Sequence, residues 1–195
     1  NSGADRYLLR EETANPLHYA KLHPKNMKLE NRIECLKNLE ELGFQTGGGF
    51  MVGSPYQTLE DIATDLFFIQ ELKPQMVGIG PFIPHSQTEF SNFPQGDLDL
   101  TLFILSLLRI MNPKVLLPAT TALSSINPEG RILGILSGAN VVMPNVSPME
   151  QRKNYALYNN KASVNEESAE GLNLLQKQLD KINCKIDFSR GDYQE

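Results

Sequence analysis

Three charged side chains near the start of the chain, Arg6, Arg10 and Glu12, have the types and spacing of a polar ligand site. They lie along and just beyond an apolar run, and successive strand residues alternate sides, so these even-numbered positions point the same way. A carboxylate at Glu12 can accept protons from two sugar hydroxyls, and the two guanidinium groups can bind an anion in bidentate fashion. The pattern predicts that all three face the mouth of a ligand cavity; a surface ion-pair cluster is the alternative.

Other candidate ligand contacts lie further along the chain. Thr120 and Thr121 place two hydroxyls after a short apolar run, where hydrogen-bonded turn residues are the alternative. Arg32, one turn into a predicted helix, is a candidate clamp for a carboxylate if the start of that helix faces the cavity, and a solvated charge otherwise. Tyr155 and Tyr158 are three residues apart on a predicted helix, either as a packing pair or leaning over the cavity. The three histidines lack metal-ligand spacing, so no metal site is predicted from them.

Five strand-to-loop junctions of one plan must position these side chains. In each, an apolar run stops at polar or small residues, and an amphipathic helical stretch follows. That order is typical of consecutive parallel β/α units, in which ligands bind at the carboxyl ends of the strands. The junctions lie at residues 6–12, 49–58, 76–85, 115–123 and 139–147.

The helices between these junctions are marked by their apolar spacing and their caps. A stripe of leucines and isoleucines ending at Gly43 predicts a helix over residues 28–42. Thr58 and Asp61 resemble a capping box at the start of the next helix. Further helices are predicted over residues 98–111, 127–138 and 166–182, and from residue 147 onwards.

These elements predict an α/β fold. A closed TIM-type barrel needs eight β/α units and roughly 250 residues, and the chain has 195 residues and five such units. We therefore expect a partial TIM-type (β/α) barrel, the last five units of an eight-unit barrel, with a C-terminal helical extension. The expected domains are residues 1–158 for the barrel part and 159–195 for the extension.

The composition restricts the class of protein. The chain is 41% hydrophobic and 21% charged with a net charge of -5, which is ordinary for a globular protein and unfavourable for binding nucleic acid or an anionic membrane. No signal peptide or apolar run of about 20 residues is present, so a cytoplasmic location is expected. The two cysteines, Cys35 and Cys184, are expected to be reduced thiols, and two thiols cannot form a four-ligand cluster site.

Read together, the junction sequences resemble the radical S-adenosylmethionine (SAM) superfamily. GFMVGSPYQT at residues 49–58 resembles that superfamily's fifth-strand motif. The remaining junctions are similar to the FeFe-hydrogenase maturases of the HydE type, relatives of biotin synthase. This second resemblance depends on RYLLREETANP (6–16), MVGIGPFIPH (76–85), PATTA (118–122) and GANVVMPN (138–145).

The resemblance implies roles for the matching positions. Glu12 would hold the ribose hydroxyls of SAM, and Arg32 would pair with its methionine carboxylate. Gly53 and Met76, with neighbouring backbone, would pack on the adenine. The residues expected to line the substrate cavity are Arg6, Arg10, Thr120, Thr121, Tyr155 and Tyr158.

The resemblance also implies cofactors and partners. The CxxxCxxC loop that holds the superfamily's 4Fe-4S cluster is absent from these residues, so the cluster ligands are expected upstream and the fragment alone is expected to be inactive. A small-molecule substrate, an electron donor and other hydrogenase maturation proteins are the implied partners, without nucleic acid or membrane. The alternatives are a biotin synthase-like or methylornithine synthase-like enzyme, and a non-catalytic half-barrel binding module that dimerises through the helix at residues 98–111.

Overall fold

The computed structural model describes residues 3–143, 148–152 and 168–194. Short strands alternate with longer helices, as the sequence predicted. The strands are β1 (Arg6–Leu8), β2 (Gln45–Gly48), β3 (Met51–Val52), β4 (Met76–Val77) and β5 (Gly80–Pro81). The helices are α1 (Pro16–Leu22), α2 (Leu29–Glu41), α3 (Leu59–Leu72), α4 (Leu98–Met111), α5 (Thr121–Ile126), α6 (Gly130–Leu136), α7 (Met149–Arg152) and α8 (Ser168–Asp180).

All strand pairing in the described residues is parallel. β1, β2 and β4 form one sheet in that order, and β3 pairs with β5. Isolated parallel bridges continue the pairing from Glu12 to Phe50, from Met76 to Leu116 and from Pro118 to Val141. The predicted α/β class is therefore confirmed, and the strand segments of the described residues pair in chain order without closing a barrel.

Glycine at position 49 explains why β2 and β3 are separate strands. Its backbone has a φ of +149°, which side-chain-bearing residues rarely adopt. A Cβ atom on Gly49 would lie 2.0 Å from the carbonyl oxygen of Gly78, so the two neighbouring chain segments can approach this closely only with glycine at position 49. Gly49 therefore lies in the interruption between the end of β2 at Gly48 and the start of β3 at Met51.

Several predicted helices begin where their caps indicated. Thr58 and Asp61 form the expected reciprocal capping box at the start of α3. Helix α2 follows Lys28 and ends before Leu42, within a residue of the predicted bounds. Helix α6 begins at Gly130, later than predicted, because the Asn127 side chain accepts a hydrogen bond from the Glu129 N–H and forms a turn first.

Two short helices were not predicted. Helix α1 is capped by the Asn15 side chain, which accepts hydrogen bonds from the amides of Leu17 and His18, and Pro16 occupies its first turn. The dipeptide Asn15-Pro16 carries this start signal in the sequence. Helix α5 has no side-chain cap, so no comparable local signal marks it. The predicted boundary between residues 158 and 159, together with Tyr155 and Tyr158, lies outside the described residues.

The main core lies between the strands and helices α3, α4 and α6. Helix α4 buries one face through Ile104, Leu105 and Leu108, while Phe103 and Ile110 on its other side are 59% and 75% exposed. No helix within the described ranges is both long and apolar enough to cross a membrane. The core residues around α4 include Phe50, Val52, Ile69, Val77, Ile79, Leu117 and Leu123.

Candidate functional site

A cavity of about 510 Å³ opens at the carboxyl ends of β3 and β5. This is the end of a parallel sheet at which ligands bind. Its wall is mainly apolar, with a few polar side chains turned inward, and its volume suits a small organic ligand. The lining residues are Arg10, Glu12, Met51, Gly80, Pro81, Phe82, Ile83, His85, Thr88, Phe90, Thr120, Thr121, Ala122 and Met143.

Glu12 provides the carboxylate of this cavity. Its backbone has a φ of +70°, and its N–H donates to the Gly49 carbonyl at 3.1 Å. Carboxylate Oε2 lies 3.3 Å from Arg10 Nη2, close enough for attraction but without a hydrogen bond. Burial raises the pKa of Glu12, and the positive charges of Arg10 and Arg32 partly offset that effect.

Arg10 and Arg32 form a connected pair beside Glu12. Arg10 Nη2 donates to the Phe50 carbonyl at 2.7 Å, and its buried Nε has no partner among the described residues. Arg32 Nη1 donates to the Arg10 carbonyl at 2.6 Å. Arg32 therefore stands next to the cavity rather than in its lining, with its guanidinium 5.9 Å from the ring centre of Tyr19.

Hydroxyl groups enter the cavity from the opposite side. The buried Thr120 Oγ1 has no hydrogen-bond partner in the described part of the chain. A Cβ atom on Gly80 would come within 2.7 Å of that oxygen, so the glycine keeps space open in front of it. Thr120 is the residue preceding α5, and Thr121 is the first residue of the helix.

The segment between β5 and α4 contributes residues that sequence reasoning did not single out for the cavity wall. Phe82, Thr88 and Phe90 of this segment line the cavity. His85 also lines it, and its Nδ1 lies 3.1 Å from the Gln87 amide nitrogen, which places the N–H of a neutral ring on Nε2. The segment has no regular secondary structure. Its first residues, 82–85, belong to the motif at residues 76–85, and their position after a strand end was the signal for this role.

The prediction that Arg6 faces the same cavity is wrong. Arg6 donates to the backbone carbonyls of Arg190 and Gly191 and lies 3.3 Å from Asp192, all in the C-terminal tail. Alternation gives the side of a strand but not the depth, and four residues span about 13 Å along a strand. Arg6 accordingly lines a second cavity, of about 720 Å³, at the amino ends of the strands.

Met76 and Gly53 also lie away from the Glu12 cavity. Met76, the first residue of β4, pairs with Gly47 and lines the amino-end cavity. Gly53 lies beyond β3 at the carboxyl end, but a Cβ atom there would meet Gly96 Cα at 2.5 Å. This backbone contact explains the glycine at position 53. Met51 lines the Glu12 cavity, whereas Gly53 and Met76 do not.

The cavity can therefore bind a ligand that is polar at two places. One acceptor, Glu12, is balanced by donors on Arg10, His85 and Thr120, between apolar walls. No group of three or more His, Cys, Asp or Glu side chains in the described ranges could hold a metal ion. Neither cysteine lines this cavity: Cys35 is exposed on α2, and Cys184 lines the amino-end cavity. A 4Fe-4S cluster therefore does not fit the residues of this chain.

Comparison with known proteins first shows similarity to methylornithine synthases. No family model matches the chain. A solved structure of methylornithine synthase (PylB) superposes with a TM-score of 0.75 over 95% of this chain and 53% of that one, at 23% identity, which shows a shared fold. The 3-methylornithine synthase of Methanosarcina barkeri is 28% identical over 156 residues, 80% of this chain and 43% of the relative. The predicted resemblance to radical SAM enzymes is confirmed.

The similarity to HydE that the motifs indicated is confirmed as well. The [FeFe] hydrogenase maturase subunit HydE of Thermotoga maritima is 47% identical over 184 residues, 94% of this chain and 53% of that protein. A biotin synthase from Crocosphaera subtropica is 28% identical over 115 residues, 58% of this chain and 29% of the relative. The chain thus spans about half the length, or less, of the curated relatives it matches.

Proposed function

We propose that this chain is the C-terminal part of a radical SAM enzyme of the HydE type, which contributes to building the FeFe-hydrogenase active site. Residues 1–158 would be the last five β/α units of an eight-unit barrel, and residues 159–195 a C-terminal extension. The observation that carries the proposal is Glu12, a largely buried carboxylate in a ligand-sized cavity beside two arginines, with one oxygen that has no hydrogen-bond partner in the described residues.

The residues of the cavity fit SAM. The Glu12 carboxylate would accept hydrogen bonds from the ribose diol, and Arg32 would pair with the methionine carboxylate. The apolar wall at Met51 and Phe82 would receive the adenine ring, instead of the Gly53 and Met76 contacts that the resemblance implied. The unpaired Arg10 Nε and Thr120 Oγ1 would receive an anionic group of the substrate. Thr121 would contribute beside Thr120, and Tyr155 and Tyr158 stay predicted substrate contacts.

These side chains would bind and orient, while the cofactors supply the hard chemistry. Reductive cleavage of SAM supplies the 5′-deoxyadenosyl radical that reacts with the substrate. Arg10 and Glu12 lie 3.3 Å apart and would orient each other, and Phe82 and Phe90 of the segment after β5 would exclude water once a ligand is bound. Because the chain has two cysteines and neither reaches the cavity, thiolates outside these 195 residues would hold the 4Fe-4S cluster. An electron donor would be required as a partner.

The test uses the full-length gene product that contains this chain, expressed anaerobically with iron and sulfide. Incubation with SAM and dithionite is expected to give 5′-deoxyadenosine. A Glu12→Gln variant is expected to reduce its formation roughly 100-fold, because a charged acceptor is lost from a desolvated site. Exposed Glu60→Gln, remote from the cavity on α3, serves as the matched control. Absence of 5′-deoxyadenosine from reduced, cluster-loaded protein would argue against the proposal.

The substrate separates the HydE type from its alternatives. A biotin synthase-like or methylornithine synthase-like protein would share the SAM contacts and differ in its substrate. Replacing Thr120 and Thr121 is expected to reduce turnover of a maturase. A non-catalytic binding module would show concentration-dependent dimers through α4 and no SAM cleavage. Sedimentation at several concentrations and product analysis distinguish these outcomes.

A further inference from the structure

Glu11, the neighbour of Glu12, points away from the cavity and is fully buried beside the sheet. Its carboxylate Oε2 accepts a hydrogen bond from the Gly49 N–H at 2.9 Å. A Cβ atom on Gly48 would lie 3.0 Å from the same oxygen and 3.5 Å from Ile69 of α3. Glu11 therefore occupies the space between the interrupted strand and helix α3.

Gly49 is held by both glutamates. Its N–H donates to the Glu11 side chain, and its carbonyl accepts the Glu12 N–H at 3.1 Å. Glu12 is in the left-handed backbone region, with a φ of +70°, which is disfavoured for a residue with a side chain. A conformation of this kind persists only where its surroundings determine it, and the two bonds to Gly49 are such surroundings.

Packing alone does not explain a carboxyl group at position 11. The second oxygen, Oε1, is buried without a hydrogen-bond partner in the described residues. The pKa of Glu11 is raised to about 7, chiefly by burial and to a smaller extent by the Asp65 carboxyl on α3 and by Glu12, against the lowering effect of the Gly49 hydrogen bond. A methionine of similar length would avoid this desolvation cost but would leave the Gly49 N–H unpaired.

We infer that Glu11 is a positioning residue that acts through Gly49 to hold the Glu12 carboxylate in the cavity. The inference rests on the proposed function, in which Glu12 binds the ribose diol. Three consecutive residues thus divide the work. The Arg10 side chain lines the cavity, and its backbone carbonyl accepts a hydrogen bond from Arg32. Glu11 binds the Gly49 N–H on the side away from the cavity, and Glu12 places its carboxylate in the cavity.

The experiment measures nucleoside affinity instead of turnover. 5′-Deoxyadenosine carries the ribose diol and does not depend on iron, so its Kd for the full-length protein reports the Glu12 contact. 2′,3′-Dideoxyadenosine lacks the diol and is the control probe, and adenosine, which has the same 5′-hydroxyl and keeps the diol, completes the matched pair. Glu11→Met is expected to weaken 5′-deoxyadenosine binding about tenfold, the size of one hydrogen bond to a charged group. The dideoxy probe is expected to be unaffected.

Two conservative variants separate positioning from general stability. Glu11→Gln keeps an oxygen that can accept the Gly49 N–H and is expected to restore wild-type affinity. Glu11→Asp keeps the carboxyl group but is too short to reach the Gly49 N–H, so this variant is expected to bind 5′-deoxyadenosine as weakly as Glu11→Met does. If the Glu11→Met variant fails to fold, Glu11→Asp is used in its place. Glu60→Gln, at the exposed start of α3, is the control and is expected to leave both the melting temperature and the Kd unchanged.

A double-mutant cycle gives the decisive outcome. In a Glu12→Gln background, Glu11→Met should weaken binding no further, since its effect passes through Glu12. Equal affinity of Glu11→Met and wild type, or full additivity with Glu12→Gln, would overturn the inference and leave the proposed function intact. Wild-type protein that binds both nucleosides equally, with no effect of Glu12→Gln, would overturn the ribose contact and the inference together.

Discussion

Arg6 and Arg10 are the same residue type on the same side of one chain segment, and the structure uses them in opposite ways. At the amino ends of the strands, Arg6 is bonded to two backbone carbonyls of the C-terminal tail and lies near Asp192. At the carboxyl ends, Arg10 retains a buried Nε without a partner in the described residues. Arg6 at the amino-end cavity is therefore bonded within the chain, whereas Arg10 at the carboxyl-end cavity keeps a donor available.

This difference separates structural polar groups from ligand-binding ones. A buried donor without a partner carries a desolvation cost, and where it also lines a cavity a bound ligand can supply the missing bond. Arg10 and Thr120 meet that criterion and Arg6 does not. Substitutions at the two ends should therefore have different readouts: ligand affinity at the carboxyl ends and unfolding at the amino ends.

The largest expected effect comes from replacing the two arginines separately. Arg10→Gln removes the charge beside Glu12 and the bond to the Phe50 carbonyl, so SAM-dependent turnover of the full-length protein should fall roughly 10- to 100-fold. Arg6→Gln should leave turnover unchanged and lower the free energy of unfolding by about 1 kcal/mol, as expected for half-exposed pairs. Equal turnover losses in both variants would contradict the distinction.

Deleting the C-terminal tail should affect stability alone. Residues 184–194 supply the carbonyls for Arg6 and a backbone N–H for Gln45, and Arg190 pairs with Asp5. Without them the full-length protein is expected to lose about 2 kcal/mol of folding free energy, or ~5 °C in melting temperature. Calorimetry measures the loss, and 5′-deoxyadenosine affinity should not change. A weaker nucleoside affinity would show that the two ends are coupled.

Thr120→Val tests the donor side of the carboxyl-end cavity. Valine is close to threonine in shape, so the variant removes the unpaired hydroxyl with little change in packing. Substrate KM is expected to rise about fivefold, while the protein becomes slightly more stable because no buried oxygen is left unpaired. Steady-state kinetics and thermal unfolding measure the two effects. A loss of stability with unchanged KM would place Thr120 among the structural groups.

The smallest expected effect is a pH dependence of stability from Glu11 and Asp65. Burial raises the pKa of each to about 7, from ordinary values of 4.5 and 3.8. Between these values and about pH 7 the folded state keeps protons that the unfolded state has released, so the free energy of unfolding falls as pH rises. Stability should be greater near pH 5 than near pH 8, by on the order of 1 kcal/mol.

Glu11→Gln tests this pH dependence because it removes one of the two titrating groups. The variant should show a flatter dependence of melting temperature on pH than the wild type, and the exposed Glu60→Gln should not. An unchanged pH dependence in Glu11→Gln would mean that the Glu11 carboxyl titrates at its ordinary pKa.

Local patterns predicted much of the fold. Capping residues marked the start of α3, and apolar spacing marked α2 and α4, because those signals act within a few residues. Helix α1 was missed although Asn15-Pro16 signalled it, and α5 offered no cap to find. In the site, the predicted residues Glu12, Arg10, Thr120 and Thr121 line the cavity. Arg6 and Met76 line the amino-end cavity instead, and Gly53 lines neither.

The amino-acid sequence alone determined the parallel β/α plan and the radical SAM resemblance, since strand alternation, caps and motifs are readable from neighbouring residues. Only the tertiary structure decided how far along the strands each side chain lies and which side chains are buried. It separated Arg6 from Arg10 along one segment, and it brought Glu11 to Gly49 across 38 residues. The physical reason is that contacts between distant segments, and the water they exclude, determine which polar groups stay unpaired and which pKa values shift.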